Sequence, residues 1–158
     1  MKSYSSYKDS GVEWIGEIPD NWIPKRNKIL FAISKTLVGE NSRDYQLLSL
    51  TKKGIIIRDI ESGKGKFPEK FDTYQIVEKG NLVFCLFDID ETPRTIGLSN
   101  YDGMITGAYT VVKCMDGVEP KFIYYKYLSI DDVKGLRPYY TGLRKVVRTA
   151  TFLGIKVV

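Results

Sequence analysis

Leu82–Phe87, LVFCLF, is the stretch on which the fold turns. It is an unbroken apolar run of strand length, rich in β-branched and aromatic side chains. Lys79-Gly80-Asn81 precedes it as a turn, and the polar segment Asp88–Gly97, DIDETPRTIG, follows. A run of this kind reads as a strand buried on both faces. Outward from it, Met104–Met115 contains a second strong strand at Ala108–Cys114, and Phe71–Val77 begins another. Tyr45–Thr51 and Ile55–Ile60 read as a strand pair joined by Lys52-Lys53-Gly54. Lys28–Ile33 is apolar without a firm period, so strand and short helix both remain open, and Phe152–Val158 reads as a final strand. One helix is clear. It starts at Pro120, a favoured first-turn residue, with Glu119 beside the positive helix end, and runs through Phe122 to Leu128. Ser129–Leu136 adds at most a further turn. Many strands and one or two helices that do not alternate predict an α+β domain with a mixed, mostly antiparallel sheet.

Length and composition set the frame. A chain of 158 residues, 43% hydrophobic and 27% charged, is expected to be one domain with a core of its own. No apolar run reaches the roughly 20 residues of a membrane span. The N-terminus carries no apolar signal region, and Cys85 and Cys114 stand alone in strand-like segments. Both features fit a reducing cytoplasm and a pair of buried thiols. Histidine is absent, which removes the commonest general base, the commonest metal ligand and every Ser/His or Cys/His nucleophile pair. Ser62-Gly63-Lys64-Gly65-Lys66 lacks the phosphate-loop spacing. No cofactor and no metal centre is expected.

Charge is unevenly spread. The net charge is +5, yet residues 121–158 alone hold eight basic side chains against two acidic ones. A one-sided surplus suits a polyanion, because neutralised phosphates release counterions. Two segments carry the recognition chemistry. The first is Asp88–Gly97, where Asp90, Thr92 and Arg94 are candidates to read base edges: Arg bridges guanine O6 and N7, and Asp accepts from cytosine N4. The second is Arg137–Thr151, RPYYTGLRKVVRTAT. There Arg137, Arg144, Lys145 and Arg148 are candidate phosphate contacts, with the hydroxyls of Tyr139, Tyr140 and Thr141 as neutral donors. Lys64 and Lys66 contribute a weaker basic patch with Lys52, Lys53 and Arg58. Against these stands a plainer reading, in which the acids are a solvated loop paired with nearby cations. Asp88, Asp90 and Glu91 together also admit a divalent metal. A nuclease of the Asp…Glu-x-Lys type would use Asp102 or Asp90 with Glu119 and Lys121, but Pro120 interrupts that strand. A protein-interaction module built on exposed aromatics is the third alternative.

Ahead of all this, Ser10–Trp22 reads SGVEWIGEIPDNW, an extended clasp within about residues 1–24. Pro19 restricts itself and Ile18. Trp14, Ile15, Ile18 and Trp22 need a body to pack against. This phrase resembles the opening of the specificity subunits of type I restriction–modification enzymes. The resemblance extends to Gly80–Phe84, Thr106-Gly107-Ala108-Tyr109, the tyrosine-rich helix at Phe122–Leu128, and the Gly-Leu-Arg loop leading into Leu153–Val158. It implies a target recognition domain that reads one half of a bipartite DNA site. Such a domain has no catalytic residues and directs methyltransferase and restriction subunits. Family members follow the last strand with a Pro-rich step and a long spacer helix; no such helix follows Leu153–Val158 in this sequence.

Overall fold

The computed structural model describes residues 4–61 and 70–158. Its order of elements begins with β1 (Tyr7–Asp9), β2 (Glu17–Pro19), β3 (Lys25–Arg26), α1 (Asn27–Leu30) and β4 (Phe31–Ile33). Next come β5 (Leu47–Thr51), β6 (Gly54–Arg58), β7 (Gln75–Val77), β8 (Leu82–Phe84), β9 (Ile96–Leu98), β10 (Gly103–Ile105) and β11 (Thr110–Cys114). The chain closes with α2 (Pro120–Asp132), α3 (Thr149–Gly154) and β12 (Lys156–Val157). The fold is α+β with mostly antiparallel pairing. The strands are divided among two four-stranded sheets, β6-β5-β10-β7 and β4-β11-β8-β9, and two small pairs, β1-β2 and β12-β3. The single parallel pairing among the described residues joins β10 to β5 through Met104 and Leu47.

β8 is the hinge of the packing. Leu82, Val83 and Phe84 are all fully buried, and the two-residue period of a strand sends them to opposite faces. Leu82 and Phe84 join the larger core under α2, while Val83 joins Leu48, Ile55, Val77, Ile105 and Val111 on the other side. The larger core centres on four rings. Phe84 lies 4.9 Å from Tyr127, 4.7 Å from Phe152 and 5.9 Å from Phe31, centroid to centroid. These edge-on and tilted contacts are the favoured aromatic geometries. Gly97 on β9 marks where the sheets approach, since a Cβ there would meet Leu50 and Ile55 within 2.9 Å.

α2 begins as its sequence dictates. Pro120 occupies the first turn and the Glu119 side chain accepts from the Lys121 amide at 3.1 Å. It runs four residues past Leu128, further than the aromatic pattern, and ends in a Schellman closure: Gly135 N–H donates to Ile130 O and Lys134 N–H to Asp131 O. Lys134 takes the left-handed position that glycine usually fills, at φ 52°.

Other expectations shift in detail. Lys28–Ile33 is both helix and strand, α1 then β4. The polar excursion after β8 ends early, because Thr95 and Ile96 are buried and β9 starts at Ile96. The expected last strand, Phe152–Val158, is divided: its first three residues end α3 (Thr149–Gly154), and only Lys156–Val157 pairs with β3. Phe152 drives this, since its ring fills the aromatic core and its carbonyl accepts from the buried Asn27 amide at 2.7 Å. The N-terminal clasp is a hairpin in register Tyr7↔Pro19. Ile18 is buried, Trp14, Ile15 and Trp22 are half-buried, and Trp14 carries the Lys126 ammonium 6.0 Å over its ring. No helix of the described residues is long and apolar enough to cross a membrane.

Candidate nucleic-acid interface

Two loops converge on one end of the molecule. The first leaves β8 and returns at β9; the second runs from the end of α2 to α3. Backbone hydrogen bonds knit them: Asp88 N–H donates to Arg144 O and Val147 N–H to Leu86 O, each at 2.8 Å. The second loop folds back as a hairpin closed by mutual bonds between Thr141 and Val146. Its tip is Gly142-Leu143-Arg144-Lys145. Gly142 at φ 75° gives the turn its left-handed step, and Lys145 takes a second one at φ 45°. Asp88 at φ 47° supplies the matching corner in the first loop. Thus all three left-handed non-glycine residues among those described, Asp88, Lys134 and Lys145, lie where these loops meet. Such backbone persists only where the surroundings hold it.

Ion pairs complete the junction. Arg144 grips the Asp88 carboxylate with two parallel bonds of 3.1 and 2.9 Å, the bidentate geometry that fixes orientation. Its guanidinium also lies 5.8 Å over the Phe87 ring, which stacks in turn on Tyr109 at 6.0 Å. Asp90 collects Arg137 Nε at 2.5 Å, Lys145 Nζ at 3.0 Å and the Tyr140 hydroxyl at 3.4 Å. Lys145 reaches Glu91 as well, at 2.5 Å. These contacts set the charge states. Hydrogen bonds from Arg144 hold the Asp88 carboxyl below its ordinary value, and those from Lys145 and Arg137 do the same for Asp90. Glu91, then Asp90, push the Lys145 ammonium upward, and Asp88 does so for Arg144.

Thr92 and Arg94 point elsewhere. The Thr92 hydroxyl donates to Phe87 O at 3.2 Å, and its carbonyl accepts from Lys134 Nζ at 2.6 Å. Arg94 lies against the end of α2, 2.7 Å from Asp132 and 3.4 Å from Asp131. Asp131 is buried, takes the Thr95 amide at 3.1 Å and lies 3.6 Å from Lys134 Nζ. Tyr139 is half-buried against the core and faces a shallow 450 Å³ groove that also holds Arg26, Thr151 and Lys156. Arg148 is exposed, directly before α3, and makes no ion pair among the described residues. Lys64 and Lys66 lie outside the described residues.

The structure therefore brings Asp90, Arg137, Tyr140, Thr141, Arg144 and Lys145 together, and sets Thr92 and Arg94 as the ties that hold the first loop to α2. Phe87, Asp131, Lys134 and Leu143 also shape the site. The sequence reading passed over them: Phe87 sits inside an apolar run, and Asp131 and Lys134 lie beyond the expected helix. The carboxylates considered for a metal are engaged by cations, and no group of three Cys, Asp or Glu side chains is arranged to hold a metal ion among the described residues. Glu119 caps α2 and Asp102 accepts from the Lys79 amide at 2.7 Å. No protein-family model matches this chain, and none of the curated proteins matches it either.

Proposed function

We propose that this chain is a DNA target recognition domain of the kind carried by type I restriction–modification specificity subunits. In this reading it binds one half of a bipartite site, performs no covalent chemistry, and directs methyltransferase and restriction subunits. One observation carries it: the exposed hairpin of the second loop is braced by the acids of the first, so two polar loops form one rigid junction. Recognition of base edges needs rigidly aimed donors and acceptors more than it needs loose charge. Arg144 suits this role. Its bond to Asp88 uses two of the five guanidinium N–H groups, leaving three to donate outward. Arg148 is the free phosphate contact. Arg94, held by Asp131 and Asp132, positions the first loop.

The test is a binding selection from random duplexes, run with and without a methyltransferase subunit. Sequence enrichment is expected. Arg148→Ala then weakens all duplexes alike and lowers the salt slope by about 1, whereas Arg144→Ala costs roughly 1–3 kcal/mol at one base pair. Absence of any salt-dependent retention of duplex in both arms overturns the reading. Cleavage of plasmid by the purified chain with magnesium favours the nuclease instead.

A further inference from the structure

The least shielded large apolar side chain in the described structure is Leu143, with a relative exposure of 101%. It stands at the apex of the hairpin tip, between Gly142 and Arg144. A lone exposed leucine is ordinarily uninformative, but this one is mounted unusually firmly. Mutual Thr141–Val146 bonds close the hairpin at 3.0 and 3.1 Å, and Lys145 N–H donates to Gly142 O at 3.0 Å across the tip. The Arg144 carbonyl is tied to the Asp88 amide and the Val147 amide to Leu86 O. Arg144 and Lys145 side chains are both anchored to the first loop by ion pairs. The flexible parts of the tip are thus fixed, and the one side chain without a partner is apolar.

We infer that Leu143 is a wedge that enters duplex DNA and unstacks a base step. This inference rests on the proposed DNA reading and deepens it. Three features favour a duplex as the occupant. A rigid finger loses little freedom on insertion. Leucine belongs to the small set of side chains that separate stacked bases. Arg144 in the tip and Arg137, which shares the Asp90 carboxylate with Lys145, keep 71% and 58% of their side-chain surface open, so cations available to flanking phosphates lie beside the wedge. Asp88 orients Arg144 and Asp90 orients Arg137.

The experiment places 2-aminopurine, whose fluorescence rises on unstacking, at successive positions of the duplex recovered by the selection. The full chain is measured alone and with the methyltransferase subunit. With the unaltered chain, fluorescence is expected to rise several-fold at one step. Leu143→Ser abolishes that rise and weakens binding about 10- to 100-fold with an unchanged salt slope, because only apolar burial is lost. Leu143→Met restores both. Since the side chain touches nothing in the folded protein, these variants leave folding intact. Binding that is retained in Leu143→Ser, with no fluorescence change in either protein, overturns the wedge and leaves the DNA reading standing. Lost affinity for the methyltransferase subunit with DNA binding unaltered assigns Leu143 to a protein contact and also overturns it. Failure to retain any duplex refutes both proposals together.

Discussion

Replacing Asp131 with alanine is expected to loosen the loop between β8 and β9 and lower stability by about 2–4 kcal/mol. The figure follows from what each partner keeps. Thr95 is 1% exposed, so its amide loses an acceptor that water cannot replace, at a cost of about 1–3 kcal/mol. Severing a buried ion pair typically costs about 3–5 kcal/mol by stranding a charge, but neither cation is stranded here. Arg94 retains Asp132 at 2.7 Å and is 30% exposed, and Lys134 retains the Thr92 carbonyl at 2.6 Å. Their share is accordingly about 1 kcal/mol. For a domain of this size each kcal/mol moves the melting temperature about 2–4 °C, giving a fall of about 4–16 °C. Asp131→Asn keeps an oxygen for Thr95 and should lose only about 1 kcal/mol. Urea denaturation gives the energies, and amide exchange at Thr95 gives the local effect. A change below about 0.5 kcal/mol in Asp131→Ala, within the range of an ordinary surface substitution and with Thr95 exchange unaltered, would refute the view that this carboxylate ties the loop to α2.

Asn27 is the polar clasp of the other end. Its amide donates to the Tyr127 hydroxyl at 2.5 Å and to Phe152 O at 2.7 Å. Asn27→Ala strands the Tyr127 hydroxyl in the core, while Phe152 O keeps the Ile155 amide at 3.2 Å; it should cost about 1–3 kcal/mol, against about 1 kcal/mol for Tyr127→Phe, both read from denaturant midpoints. Acid reports on the loop junction. Asp88 and Asp90 titrate below their ordinary 3.8 when folded, so their contribution is present above that value and is lost as pH falls through the lower folded values. Exchange protection of the Asp88 and Val147 amides should therefore hold from neutrality to about pH 4 and fail only below it. Loss of protection centred above pH 4 would contradict this.

The elements legible in the sequence are those whose physics is local. Pro120 and Glu119 announce the start of α2, and the unbroken apolar run around Leu82–Phe84 announces a strand buried on both faces. The illegible ones depend on distant partners. Asp131 and Asp132 are poor residues for the negative end of a helix, so nothing local extends α2 to them; Arg94 and Lys134, which make the extension tolerable, arrive from a loop and from past the helix end. Phe152 lies in what reads as a strand, and the buried Asn27, 125 residues away, helps to fix it in a helical turn instead. The site divides the same way. Composition singles out both loops, but only tertiary structure shows that the acids of one are the counterions of the other.

That pairing changes what the basic C-terminal quarter means. Eight cations against two acids within residues 121–158 suggest a surface built to attract a polyanion, yet Lys134, Arg137, Arg144 and Lys145 each face a carboxylate. Three of the carboxylates involved, Asp88, Asp90 and Glu91, come from the loop after β8. The surplus a phosphate would meet is smaller than the count implies, and Arg148 supplies it without hindrance. A recognition surface with most of its charge already neutralised gives up nonspecific affinity, which is almost wholly electrostatic. It retains oriented N–H donors, whose value depends on matching a base edge. If DNA is the ligand, the junction of the two loops favours discrimination over strength. The salt slope of the intact chain is then governed by the few unpaired cations and not by its formal charge.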